Sequence, residues 1–337
     1  MMPMNQQPEP HLIHASQPPV SVEHQDGIEH LLPISLVTEW APGSFVENLI
    51  AKHDGHLLVT VHSSNELFEV DPVSHTKHLL TTFPSSCSGI VEMDFNHFYV
   101  NVGTINQQNS YSIYRVSLHN HTVTSKHFVD VPQALFLNGS CVLSKTTGDL
   151  LAVDSLLGQV FKVNIHTRQV EVWYENDLLK KHNFSNFLTP GVNGIKVYRD
   201  HVYMSNTERA IILKIKLSPY DYRPQGELEI VAKNIICDDF TLDHFGAIYV
   251  ATHIQNSLMR LTPDKGGEYL REVLATYTEG LAGSTACVFG RTFHDRTGCD
   301  STIERVHPLK ERDDGKGLLL DNVVQFILTS NKAMQCM

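Results

Sequence analysis

Short β-rich runs bounded by Asp, Asn, Gly and Ser recur along almost the whole chain, while apolar residues at helical spacing are scarce. Leu57–Val61, His97–Val102, Leu150–Val153, His201–Met204 and Ala247–Ala251 are clear examples. Each is preceded by another short apolar run and followed by a third, such as Glu66–Val70, Tyr111–Val116, Gln159–Val163, Ile211–Ile215 and Ser257–Leu261. The pattern predicts strands in groups, joined by tight polar turns.

Those groups repeat. The residues that open successive groups, Glu47, Gly89, Asn138, Asn193, Asp238 and Ser284, lie 42 to 55 residues apart. One four-stranded antiparallel blade per interval predicts an all-β, six-bladed β-propeller, in which radial stacking leaves no long exposed strand edge. WD40 repeats would suit the spacing, but their Gly-His and Trp-Asp signatures are missing. Closure of the ring falls to Ile34–Trp40, which has the composition to pair with the last blade. After Thr292 the alternation blurs, so an irregular or partly open sixth blade is expected, with Leu318–Leu320 and Val323–Leu328 to supply strands. Residues 1–30 are expected to be a flexible N-terminal segment and residues 31–337 a single propeller domain.

Composition narrows the function. Hydrophobic residues make up 42% and charged residues 19%, which suits a globular chain with a real core. A net charge of −11 would repel a phosphate backbone, so nucleic acid is not an expected partner. No apolar run is long enough to span a membrane. The Pro-, Gln- and His-rich start lacks the basic-then-apolar order of a secretory signal, which suits either a cytoplasmic protein or one whose signal has been removed. Six cysteines are scattered without CxxC spacing, against a zinc ribbon or a thioredoxin-like site.

In a propeller the innermost strand of each blade starts near the axis at one face. Glu47, Asn138, Asn193 and Asp238 should therefore encircle one channel mouth. The ends of the second strands add His62, Asp154, Ser155, Asn206, Thr207, Thr252 and His253 to the same rim. Three uses of this ring are open: a hard cation held by the oxygens of Glu47, Asn193 and Asp238, a metal-free pocket lined by the same groups, or turn residues that merely satisfy backbone donors. No Gly-x-Ser-x-Gly elbow or paired Cys/His arrangement stands out for acyl-enzyme chemistry.

The segments Phe45–Leu49, Phe136–Gly139, Gly191–Ile195, Asp238–Asp243 and Leu281–Ala286, in that order and spacing, resemble those of the SMP-30/gluconolactonase/LRE-like propellers over roughly residues 40 to 292. The resemblance implies a metal site on Glu47, Asn193 and Asp238. Two departures stand out. The family's lactonases follow that Glu with Gly-Pro, where this chain has Asn48-Leu49, and they place an Arg where this chain has Phe136. An aromatic ring in place of a fixed cation favours a flatter, more apolar ligand.

The divergent motifs, including Ala251–Asn256, resemble those of fungal tropolone-sesquiterpenoid hetero-Diels-Alderases. This resemblance implies a pericyclase that needs no cofactor and joins a tropolone quinone methide to a sesquiterpene alkene in the central channel. Its partners would be apolar small molecules of terpenoid or polyketide type. Asn138, Asn193, Asp238 and His253 would be the catalytic polar groups, and Glu47, Phe136, Asp154, Asn206 and Ser284 would contact substrate. The alternatives are a lactonase or esterase with one divalent cation, Ca²⁺ or Zn²⁺, on Glu47, Asn193 and Asp238, and a non-enzymatic ligand-binding propeller.

Overall fold

A computed structural model describes residues 32, 34–119, 122–182, 189–276 and 283–292, together with the backbone of Ile303–Pro308 and Val324–Leu328. Contacts divide the chain into Met1–His30, which lies outside the described residues, and Leu31–Met337, which holds every strand. Among the described residues no helix is long and apolar enough to cross a membrane.

Strand β1 (Ile34–Trp40) precedes the repeats. Blade 1 is β2 (Val46–Ala51), β3 (Leu57–Val61), β4 (Glu66–Asp71) and β5 (Thr76–Thr82). Blade 2 is β6 (Cys87–Asp94), β7 (His97–Val102), β8 (Ser112–His119) and β9 (Thr122–Asp130). Blade 3 is β10 (Leu137–Ser144), β11 (Asp149–Asp154), β12 (Gln159–Asn164) and β13 (Val170–Glu175). Blade 4 is β14 (Val192–Tyr198), β15 (His201–Asn206), β16 (Ile211–Leu217) and β17 (Pro224–Lys233). Blade 5 is β18 (Cys237–Leu242), β19 (Ile248–Thr252), β20 (Ser257–Pro263) and β21 (Tyr269–Ala275). Each of these five is an antiparallel meander in chain order, so this unit is an all-β propeller of four-stranded antiparallel blades.

A sixth four-stranded sheet combines β22 (Ser284–Phe289), β23 (Ile303–Pro308) and β24 (Val324–Leu328) with β1. Its order is β22-β24-β23-β1, and it departs from the antiparallel expectation. β22 runs parallel to β24 and β23 parallel to β1, while only β23 and β24 are antiparallel. The cause is the order of insertion. β24, the last strand in the chain, takes the place beside β22 that β23 would fill in a meander, and parallel neighbours require a long crossover. β24 coincides with the run Val323–Leu328, whereas Leu318–Leu320 lies outside the described residues. Strand β23 escapes a pattern search because Glu304, Arg305 and His307 interrupt its apolar positions.

The first strands β2, β6, β10, β14, β18 and β22 lie side by side in that order, and β22 returns against β2. There is no single core. One apolar cluster fills each seam between neighbouring sheets. Leu58, Phe98 and Val116 join blades 1 and 2, for instance, and Val37, Trp40, Val46 and Ala286 join the sixth sheet to blade 1. Cys87, Cys141, Cys237 and Cys287 are buried free thiols in these seams.

Each first strand breaks its register near its start, between Val46 and Asn48, Cys87 and Ile90, Leu137 and Ser140, Val192 and Ile195, Cys237 and Phe240, and Ser284 and Ala286. A bulge re-aims side chains and leaves backbone groups without ladder partners. Here the preceding blade supplies those partners. Thr60 Oγ1 donates to Ser88 O at 2.8 Å, Asn101 Nδ2 to Asn138 O at 2.7 Å, Ser155 Oγ to Val192 O at 2.6 Å, and Ser205 Oγ to Asp238 O at 2.8 Å. Thr285 Oγ1 closes the circuit on Val46 O at 2.9 Å. Such close approach explains the glycines. A Cβ on Gly89 would run into Asn138 O, and one on Gly139 into Asn193 O.

Gly139→Ala is therefore expected to cost ~2–4 kcal/mol, because the obstructing atom is backbone that other bonds hold in place. Ser205→Ala should cost ~1–3 kcal/mol by stranding the buried Asp238 carbonyl. Urea unfolding midpoints check both, and a neutral Gly139→Ala would contradict the account.

Candidate functional site

The bulges turn successive polar residues toward the axis. Glu47 and Asn48 come from β2, Asn138 from β10, Asn193 from β14, and Asp238 and Asp239 from β18, and all six are buried. Their bonds divide them into two sets.

In the first set, Asn193 Nδ2 donates to Asp238 Oδ1 at 2.8 Å and to Thr207 Oγ1 at 3.0 Å. Both amide hydrogens of Asn193 are thereby committed, and its carbonyl oxygen is left as the group it can offer. Asp238 Oδ2 lies 3.6 Å from His253 Nδ1. Neither the Glu47 carboxylate nor the Asn138 amide has a hydrogen-bond partner recorded among the described residues. Burial, reinforced by the nearby Asp239 carboxylate, pushes the Glu47 carboxyl up to about 8. Asp238 is pushed well above the usual carboxylate range by burial and by Glu47 and Asp239, although the Asn193 bond works against this.

The second set spans the channel. Asp239 Oδ2 accepts from Asn48 Nδ2 at 3.3 Å, across from blade 1. Lys196 Nζ reaches both Asp239 oxygens, at 2.6 and 2.7 Å, and the Phe240 amide donates to Oδ1 at 2.8 Å. Asp239 thus ties blades 1, 4 and 5 together. Motif spacing did not single out Asn48, Asp239 or Lys196. The doubled polar residues Glu47-Asn48 and Asp238-Asp239 were the available signal, since a regular strand would send neighbours to opposite faces.

Aromatic rings border the first set. Phe45 is half-buried, with the His62 ring 5.8 Å and the His253 ring 6.4 Å away, both edge-on. Burial lowers both imidazole pKa values, which keeps them neutral at neutral pH. Phe136, expected as the packing wall, leaves only 9% of its surface exposed and belongs to the apolar seam between blades 2 and 3 with Tyr111, Val131 and Phe161. Phe45 offers the flat surface instead.

Three other candidates sit in structural roles. Asp154 is fully buried, and its carboxylate accepts four backbone amides, those of Leu135, Phe136, Leu156 and Leu157, at 2.7–3.1 Å. Asn206 donates to Leu178 O and Lys180 O and accepts from Arg209 N. Ser284 Oγ makes long bonds of 3.4 and 3.5 Å to Thr252 O and Ser257 O.

A divalent cation can be judged by donor chemistry. Glu47, Asp238 and the Asn193 carbonyl form an oxygen-only set with excess negative charge, which suits a hard cation. Among the described residues no three His, Cys, Asp or Glu side chains are arranged as ligands. The amide carbonyl would therefore have to take part.

No family model matches the chain. Its β-propeller fold is similar to those of a regucalcin and a luciferin-regenerating enzyme. Regucalcin of Agrobacterium tumefaciens superposes with a TM-score of 0.51 at 14% identity, over 72% of this chain and 79% of that one. A luciferin-regenerating enzyme gives 0.55 at 11%, over 85% and 90%. A nidogen/laminin complex gives 0.55 at 10%, over 70% and 82%. In sequence the chain is similar to "Putative hetero-Diels-Alderase asR5" of Sarocladium schorii, 27% identical over 150 residues, or 41% of this chain and 37% of that protein. The match spans little more than a third of that relative's length.

Two outcomes test this geometry. A carboxyl that keeps its proton up to about 8 when folded, but loses it near 4.5 when unfolded, makes stability fall as pH rises through that window. In EDTA the parent should lose thermal stability across that range and Glu47→Gln should flatten the loss; a Glu47→Gln protein less stable than the parent on the alkaline side would contradict it. Asp154→Ala should cost ~2–4 kcal/mol in urea unfolding through four stranded amides, whereas Asn138→Ala should fall within ~1 kcal/mol of the parent. Equal losses would undo the division into structural and functional groups.

Proposed function

We propose that this chain is a metal-independent pericyclase: a six-bladed propeller acting as a hetero-Diels-Alderase that joins a tropolone quinone methide to a sesquiterpene alkene at the axial site. The observation that carries this reading is the sequence similarity to asR5, because the fold is shared with proteins of different kinds and does not select an activity.

The site chemistry supports it. In such a cycloaddition the diene and alkene form one C–C and one C–O bond, no atom leaves, and negative charge grows on the tropolone carbonyl oxygen in the transition state. What the protein must supply is orientation, exclusion of water and hydrogen-bond donors aimed at that oxygen. The Asn138 amide and the Glu47 carboxyl, protonated below about 8, are donors of this kind. Asn193 acts differently from Asn138: with its amide committed to Asp238 and Thr207, it positions Asp238. His253 is neutral and stands beside Phe45, whose ring supports the flat tropolone.

A second reading has its own observation. The oxygen-only set of Glu47, Asp238 and the Asn193 carbonyl would hold a divalent cation, which would supply Lewis-acid polarisation of a lactone or ester carbonyl.

One experiment separates the two. Purified protein is stripped with EDTA and assayed with a quinone-methide precursor plus a sesquiterpene alkene, and separately with a lactone panel. Stereoselective cycloadduct above the uncatalysed background, unchanged by EDTA and reduced at least ~tenfold by Asn138→Ala, is the expected result. Lactone turnover that EDTA abolishes would replace this reading with the second, and neither activity would leave a ligand-binding propeller.

A further inference from the structure

Outside the axial site, the outer half of blade 2 carries a basic hollow of about 190 Å³ lined by Arg115, Ser117, Thr124, Lys126, His127 and Arg168. From this hollow we infer a second binding site, one that takes a phosphoryl group.

Strand register builds the site. Arg115 on β8 pairs directly with Lys126 on β9, and Ser117 pairs with Thr124 two positions on, so these four side chains share one face of the hairpin. Across the blade Arg115 also pairs with Tyr99 of β7. From the neighbouring blade, Arg168 reaches over out of the turn between β12 and β13, its guanidinium 5.1 Å from the Phe128 ring centroid. That ring is itself fixed edge-on to Tyr99, with centroids 5.1 Å apart.

Among the described residues these charges have no acidic partner. Like charges directly opposite on a hairpin destabilise it, yet Arg115 faces Lys126. No ion pair to Arg115, Lys126 or Arg168 is recorded among the described residues. The acid at the rim, Asp130, is bound to His127 at 2.6 Å. Three cations in one hollow with no ion pair among the described residues are also out of keeping with a protein of net charge −11.

A tetrahedral oxyanion would resolve the repulsion. Two guanidinium forks and an ammonium match its charge and geometry, and the Thr124 hydroxyl adds a donor of adaptable direction, while Ser117 Oγ, 2.8 Å from His97 Nδ1, accepts from Arg115 Nε at 3.3 Å and helps to orient that guanidinium. The hollow is larger than one such group, so the phosphoryl could be free phosphate or the head of a small phosphate monoester.

Isothermal titration of the full chain at low ionic strength, with inorganic phosphate and with phenyl phosphate against chloride-matched buffer, tests the site. Saturable one-site binding of at least one probe is expected. Tighter phenyl phosphate identifies a monoester site, and equal or tighter phosphate identifies a free-ion site. Arg115→Ala and Arg168→Ala should each weaken binding by about tenfold or more, while Arg199→Ala, on blade 4, should leave it unchanged. In thermal melts Lys126→Gln should raise the midpoint without phosphate and remove the gain that phosphate gives the parent, a pair of effects that fold damage would not produce. Absence of saturable binding for both probes, or binding that Arg115→Ala/Arg168→Ala leaves intact, would overturn the assignment.

Discussion

The structure depends on carbonyl groups that bulges set free. A regular innermost strand would keep its backbone in the ladder and alternate its side chains, giving the axis at most every second residue. The bulge at the start of each first strand breaks that alternation, and the cost is a set of buried carbonyls with no ladder partner. Side chains of the preceding blade cap them, Thr60 on Ser88 O, Asn101 on Asn138 O, Ser155 on Val192 O and Ser205 on Asp238 O. Blades 1 to 4 and the sixth sheet therefore each complete the backbone bonding of the blade that follows, and the polar ring and the circular arrangement share one device.

This device also sets how much could be read from the sequence. The openers Glu47, Gly89, Asn138, Asn193, Asp238 and Ser284 were visible because a bulge flanked by a close backbone approach demands small or polar residues at a fixed place in each repeat. Five blades and the convergence of the opening residues were legible for that reason. The order of strands in the sixth sheet was not, since crossover topology leaves no periodic trace. Individual roles were hidden for another reason. Asp154 and Asn138 look equally polar in sequence, yet four amides saturate one and the other keeps its amide uncommitted. The amides that commit Asp154 lie 2 to 19 residues away, in the turn after its own strand and in the approach to β10, and apolar periodicity marks neither.

Electrostatics explains why two acidic levels coexist at the axis. Burial and the Asp239 carboxylate raise the cost of ionising Glu47 and Asp238, Glu47 raises that of Asp238 further, and Lys196 is ion-paired with Asp239. Lys196 pairs with Asp239 and stands 5.5 Å from the Phe240 ring centroid. The Asp239 level consequently has a paired charge and three anchors on blades 1, 4 and 5, which makes it a rigid polar floor. The Glu47 level has no such pair, and what lowers its energy is a proton, a cation or a polar substrate. A site of that kind is poised to bind.

The ring is not uniform, and its exception lies beside the site. Four seams between antiparallel blades carry a side-chain cap of 2.6–2.8 Å onto a bulge carbonyl. At the seam between blade 5 and the sixth sheet the direction reverses: Ser284 of β22 donates back to Thr252 and Ser257 carbonyls at 3.4 and 3.5 Å, lengths at which a hydrogen bond is weak. Thr252 Oγ1 is itself turned inward to Ser257 O at 2.7 Å and cannot cap β22. Across the same seam the Gly283 amide donates to Asn256 Oδ1 at 2.8 Å, so the sixth sheet is tied to the turn that follows β19.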